Sequence, residues 1–157
     1  MPHTAITARD IMTTKVLTVS PDQDLFDVIS LLIKHKISGA PVVDRNGRYL
    51  GVFTERTSIS LLMDAVTQGT PTNRIEPFID TDAVTIGPDT DLLTIAQILK
   101  DTHYRRLPVL QHGKVIGLIS RRDVLRAALR LMEIEQPQET TFLYLSLIHD
   151  RTEVPVA

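Results

Sequence analysis

The chain has no cysteine and no tryptophan, and only 4% of its 157 residues are aromatic. The missing cysteines exclude disulfides, thiolate zinc sites, iron–sulfur clusters and a cysteine nucleophile together. The scarcity of rings leaves little for bases to stack on. Tyr104 alone sits near the basic stretch and the net charge is −2, so nucleic acid is not an expected partner. No apolar run approaches the roughly 18 residues of a membrane helix. Residues 1–10 carry no apolar leader core, so the expectation is a cytoplasmic protein without membrane contact. Neither G-x-x-x-x-G-K-[ST] nor G-x-G-x-x-G occurs, which removes the usual phosphate loops. His3, His35, His103, His112 and His149 never fall three or four residues apart, so no helical metal site is expected. No nucleophile elbow appears either. The expectation is a non-enzyme with no catalytic residue, catalytic cofactor or metal centre.

What is present suits one soluble domain: 43% hydrophobic residues and 23% charged. A chain of this length buries roughly 68–70% of its unfolded surface and needs no covalent staple. The charge is uneven. Between residues 102 and 132 lie Arg105, Arg106, Lys114, Arg121, Arg122, Arg126 and Arg130, opposed only by Asp123, a patch suited to an anion.

The sequence also repeats. TVSPDQDL at 18–25 recurs as TIGPDTDL at 85–92, and APVV at 40–43 recurs as LPVL at 107–110, both at an offset of 67. After a one-residue deletion the offset becomes 66, laying YLGVFTERT at 49–57 over VIGLISRRD at 115–123. In the first copy Leu25, Val28, Ile29, Leu32 and Ile33 form a helical stripe behind Asp22 and Asp24, acids suited to a helix N-terminus. Residues 40–43 and 49–53 flank Asp44-Arg45-Asn46-Gly47 and predict a hairpin. Ile59, Leu62, Met63 and Val66 restore helical spacing before Gly69. The second copy follows suit, so each unit reads β-α-β-β-α. A unit of about 55 residues is marginal alone, and two packed together are expected.

The motifs ARDIMT (8–13), LTVSPD (17–22), ISGAPVVD (37–44), GVFTERT (51–57), YRRLPVL (104–110) and GLISRRD (117–123) resemble the CBS domain family, named after cystathionine β-synthase, in their order and in both copies. The resemblance implies an α+β fold of two β-α-β-β-α repeats packed with pseudo-twofold symmetry. It also implies a frequent homodimer and adenosine-type ligands in the clefts between repeats. On this reading residues 1–66 are the first repeat, 67–77 a linker, 78–132 the second repeat and 133–157 a C-terminal tail.

Matching by motif gives one candidate nucleotide site. Ser120 and Asp123 head the last helix, where amide groups seat phosphate and a carboxylate accepts from vicinal ribose hydroxyls. Ser-x-x-Asp is equally a capping box, so the two residues have two open readings. Ile37, Ser38 and Gly39 would meet adenine, with Val16 and Thr18 completing the wall. Arg105, Arg106 and Arg122 would reach phosphates, favouring AMP, ADP or ATP, with or without magnesium, over a sulfonium ligand. The related cleft carries Thr57 where the ribose-binding Asp should be, and Glu55 beside it repels phosphate, so that cleft should be weak or empty. The tail segment TTFLYLSLIH (140–149) is apolar enough to need burial, either on its own chain or across a homodimer. The functional expectation is a stand-alone sensor that signals to an unknown regulated protein in trans. The competing reading is a ligand-free structural or protein-interaction module.

Overall fold

The computed structural model describes residues 5–69 and 74–135; the tail segment 140–149 lies outside them. After a short helix α1 (Ala8–Ile11), the first repeat runs α2 (Leu25–His35), β1 (Gly39–Val43), β2 (Tyr49–Thr54) and α3 (Glu55–Gln68). A 3-10 turn at Glu76–Phe78 leads to α4 (Leu92–Asp101), β3 (Arg106–Gln111), β4 (Lys114–Ser120) and α5 (Arg121–Glu135). The mixed helix-and-strand architecture is the α+β class expected from the sequence.

Local chemistry accounts for these elements. The Asp24 carboxylate accepts from the Phe26 and Asp27 amides and starts α2, which buries Leu25, Val28 and Leu32 and stops where Lys36 turns left-handed. Asp91 does the same for α4 by accepting from the Thr94 amide, over buried Leu92, Ile95 and Leu99. Hydrogen bonds from the Thr94 amide and hydroxyl hold the Asp91 carboxyl below its ordinary value. In the first hairpin the Asp44 side chain accepts from the Asn46 and Arg48 amides, and Gly47 takes φ +80°. Both hairpins are antiparallel, with a register shift at Val42/Val43 and at Val109/Leu110.

The leading strand of each unit is shorter than its sequence pattern suggests. It is one parallel bridge per repeat, Val19 beside Val42 and Ile86 beside Val109. Pro21 and Pro88 follow within two residues and have no N–H with which to extend the ladder.

The repeats interlock through the segments that precede them. Ala8 lies in the second repeat's core with Ile95, Leu107 and Ile119, packed against Ile6, Ile11 and Met12. Ile75 lies in the first repeat's core with Val28 and Phe53, packed against Phe78 and Ile79. Backbone hydrogen bonds pin both segments: Ala8 N–H to the Thr90 carbonyl at 2.8 Å, and Asp80 N–H to the Val52 carbonyl at 2.9 Å. Each needs a glycine to run past. A Cβ on Gly51 would stand 2.5 Å from the Asp80 carbonyl oxygen, and one on Gly117 would stand 2.5 Å from Met12 Sδ. Gly51 also takes φ +155°, a backbone that side chains rarely adopt.

The two glycines should respond differently to alanine. Gly117→Ala meets only side-chain atoms of Met12, from Sδ back to a Cβ at 2.9 Å, and should cost about 1–3 kcal/mol in chemical denaturation, as ordinary overpacking does. Gly51→Ala meets backbone in a strained conformation and should cost more. Equal losses would contradict this account of the crossing.

Candidate functional site

The head of α5 is built by β4 ending at Ser120. Ser120 N–H and Oγ both donate to Asp123 Oδ2, at 2.8 and 2.9 Å, and Asp123 N–H donates back to Ser120 Oγ at 3.2 Å. This is a reciprocal cap. The Asp123 side chain is 15% exposed, and its Oδ1 lies 3.7 Å from Arg126. A cavity of about 370 Å³ opens beside this cap. Ser120, Asp123 and Leu118 form its wall from the second repeat. Thr13, Lys15 and Leu17 line it from the lead-in to α2, with His35, Ile37 and Gly39 opposite and Arg106 at the edge. Lys15 and Arg106 line this cavity against one carboxylate, with His35 beside them, so its fixed charge is net positive around an apolar wall.

Of the residues singled out from sequence, Ile37, Gly39, Arg106, Ser120 and Asp123 come together here. Ser38 and Arg105 line the neighbouring cavity instead. Val16 and Thr18 line neither, and Arg122 is exposed outside both. The sequence reading missed Lys15, Leu17 and His35. Counting back in twos along the extended lead-in from buried Val19 reaches Leu17, Lys15 and Thr13, a signal that was available.

The second cavity, about 340 Å³, is lined by Ser38, Thr54, Glu55, Arg56 and Ile59 of the first repeat and by His103, Tyr104 and Arg105 of the second. Gly39, Arg106 and Leu118 border both cavities. Its counterpart of the Ser120–Asp123 cap is Thr54 Oγ1 within 3.1 Å of Thr57 Oγ1, hydroxyl against hydroxyl. Tyr104 stands where the repeat places Ile37 in the other cleft, and its hydroxyl donates to Asp80 Oδ2 at 2.8 Å. Burial, the Asp80 hydrogen bond and the charges of Asp80 and Asp82 push the Tyr104 phenol up to about 12. Burial, followed by the nearby Asp80 and Tyr104, pushes Tyr49 up to about 12 as well.

These phenols should make the alkaline limb of stability steep. An unfolded tyrosine ionises near 10, so both contributions are fully present below about pH 10 and vanish as pH rises toward 12. Phenolate absorbance should show two of the three tyrosines ionising late, and Tyr104→Phe should flatten the loss of stability over that window. Ionisation of all three near pH 10 would refute the assignment.

Among the described residues no helix is long and apolar enough to cross a membrane. The family model for the CBS domain matches residues 8–57 and 75–130. Among solved structures, CBSX2 in complex with AMP is 30% identical with a TM-score of 0.72, covering 80% of this chain and 98% of that one. CBSX2 from Arabidopsis thaliana also aligns at 28% identity and TM-score 0.72, covering 83% of this chain and 99% of that one. The CBS domain-containing protein YhcV of Bacillus subtilis is 29% identical over 120 residues, 74% of this chain and 81% of that protein. Other relatives are longer. The chain spans 41% of the uncharacterized protein MJ1225 of Methanocaldococcus jannaschii and 15% of the A-adding tRNA nucleotidyltransferase of Aquifex aeolicus, each 27% identical to it. With both repeats matched and the paired fold shared, the chain belongs to the CBS domain family, as a tandem pair.

Proposed function

We propose that this CBS pair is a non-catalytic regulatory module that binds one adenine nucleotide, AMP, ADP or ATP, in the cleft headed by Asp123. It acts in trans on a partner protein, as a cytoplasmic homodimer. The observation that carries the reading is the convergence of Lys15, His35 and Arg106 on a cavity whose wall holds Ser120 and Asp123. An ionised carboxylate offers about four acceptor positions. Ser120 uses two of those of Asp123, leaving capacity for a pair of ribose hydroxyls. Ile37 and Leu17 supply apolar surface for a base, Lys15 and Arg106 supply positive charge for phosphate and His35 a ring N–H donor, with magnesium accompanying a longer chain. AMP in the related CBSX2 structure supports the ligand class.

The second cleft suits an adenylate less well. Thr57 offers a hydroxyl already engaged with Thr54, Tyr104 is tied to Asp80, and Glu55 faces the space a phosphate would need. A ligand in the Asp123 cleft touches Lys15 and Ile37 of one repeat and Ser120 of the other. Its binding energy therefore favours one relative packing of the repeats, which is the form a partner reads. The second reading is a ligand-free interaction module. The closed Ser120–Asp123 cap favours it, since a reciprocal helix cap by itself accounts for both residues without a ligand.

Thermal unfolding with AMP, ADP, ATP, NAD or S-adenosylmethionine separates the readings. A ligand at about 100 times its Kd adds roughly 2.7 kcal/mol. The midpoint should rise with one adenylate, at one nucleotide per chain by calorimetry, and the rise should disappear in Asp123→Asn. Exposed Lys15→Ala leaves the cap intact and should weaken binding roughly five- to tenfold. No rise with any ligand would favour the interaction module, and two equal sites per chain would overturn the one-cleft assignment.

A further inference from the structure

Two phenols lie near the Asp80 carboxylate, and one of them is bonded to it. The Tyr104 hydroxyl donates to Asp80 Oδ2 at 2.8 Å, while the Asp82 N–H donates to Asp80 Oδ1 at 3.0 Å. The Tyr49 hydroxyl is buried without a hydrogen-bond partner, the one such side-chain atom among the described residues. A buried donor left unpaired costs stability, and phenylalanine would fill nearly the same space without that cost. Packing alone therefore does not account for a tyrosine at this position.

The backbone explains how Tyr49 comes to be there. Val42 pairs with Gly51 and Val43 with Tyr49, so Leu50 is an extra residue in β2. Alternation along β1 puts Pro41 and Val43 on one face, and their partners Val52 and Tyr49 share it. Asp80 pairs with Val52 through two backbone hydrogen bonds, of 2.9 and 3.1 Å, so its side chain stands on that face as well. Pro41, Val52 and Tyr104 line the cavity of about 340 Å³. The charge of Asp80 is close enough to contribute to the raised phenol of Tyr49. In the other cleft the equivalent positions hold Thr13, Ile37 and Val115, although Thr13 makes the same bridge to Leu118. One backbone arrangement thus serves both clefts, and the carboxylate with its two phenols is confined to one of them.

We propose that Asp80 is a shared acceptor and that the trio is a two-position latch: Tyr104 can leave Asp80 and turn its hydroxyl to an acceptor inside the cavity, because Tyr49 then donates in its place. Without Tyr49, releasing Tyr104 would strand a half-buried carboxylate short of a donor. With it, one hydrogen bond replaces another. Tyr49 N–H also donates to the Gly113 carbonyl at 2.9 Å, so the exchange acts at the joint between the two hairpins. The latch lies outside the Asp123 cleft and does not depend on nucleotide binding there.

A double-mutant cycle on the full chain at neutral pH, read by urea unfolding, tests this. Tyr49→Phe alone removes an unpaired hydroxyl and should change the unfolding constant less than about threefold. Tyr104→Phe alone should also cost less than about threefold, since Tyr49 takes over its bond. The double variant leaves Asp80 without a phenol and should raise the unfolding constant at least about tenfold beyond the product of the two singles, as losing a hydrogen bond to a charged acceptor does. A double variant equal to that product would overturn the latch. So would a tenfold loss in Tyr104→Phe alone with no further effect of Tyr49→Phe, which is what a fixed Tyr104–Asp80 brace predicts. Proton NMR of the single variants decides the matter even where the double variant does not fold. A slowly exchanging Tyr49 hydroxyl should appear in Tyr104→Phe and be missing from the wild type, and an unchanged Tyr49 signal would overturn the exchange.

Discussion

Everything in this fold depends on the exchange of leading segments. Ala8 completes a core whose other members lie more than seventy residues downstream, from Ile86 to Ala127. Ile75 completes one drawn from Val19 to Leu61. The hydrophobic effect alone would allow each repeat to collapse by itself, but a repeat of this size buries too little for independence. Crossing the segments commits each half to the other half's interior. Gly51 and Gly117 are what the crossing requires of the sequence, because both hairpins must let a foreign backbone or side chain approach where Cβ would stand. The clefts follow from the same arrangement, since the chain that leaves α1 for α2 must run past the head of α5, carrying Thr13, Lys15 and Leu17 along it.

Symmetry in the backbone and asymmetry in the chemistry then divide the labour. Equivalent positions hold Ile37 and Tyr104, Asp123 and Thr57, Lys15 and Asp82. One cleft is cationic around a single carboxylate. In the other, Tyr104 is tied to Asp80 and a hydroxyl pair replaces the carboxylate cap. A fold that supplies two similar hollows has thus been given side chains for two different environments, and function has to be argued from those side chains and not from the fold.

Much of this was legible in the sequence because it is local. The stripe Leu25, Val28, Leu32 with its Asp24 cap, and the Asp44 to Gly47 turn, need no information beyond a few neighbours. The matched motifs likewise brought Ile37, Gly39, Arg106, Ser120 and Asp123 to one cavity. The exchange was not legible: residues 6–13 and 75–80 are too short to show a period, and their partners lie in the other repeat. The reading placed Ile75 within a linker, whereas its side chain is fully buried. The lead-in to α2 illustrates the narrower problem of parity. Val16 and Thr18 are one residue out of step with the cavity, and in an extended chain one residue is the difference between facing a site and facing away from it.

The partition between the two cavities consists of very little material: Gly39, Leu118 and the side chain of Arg106. A guanidinium carries five N–H donors in one rigid plane but only a single positive charge. An anion paired with Arg106 from one side would take up that charge, so the two hollows draw on one common cation.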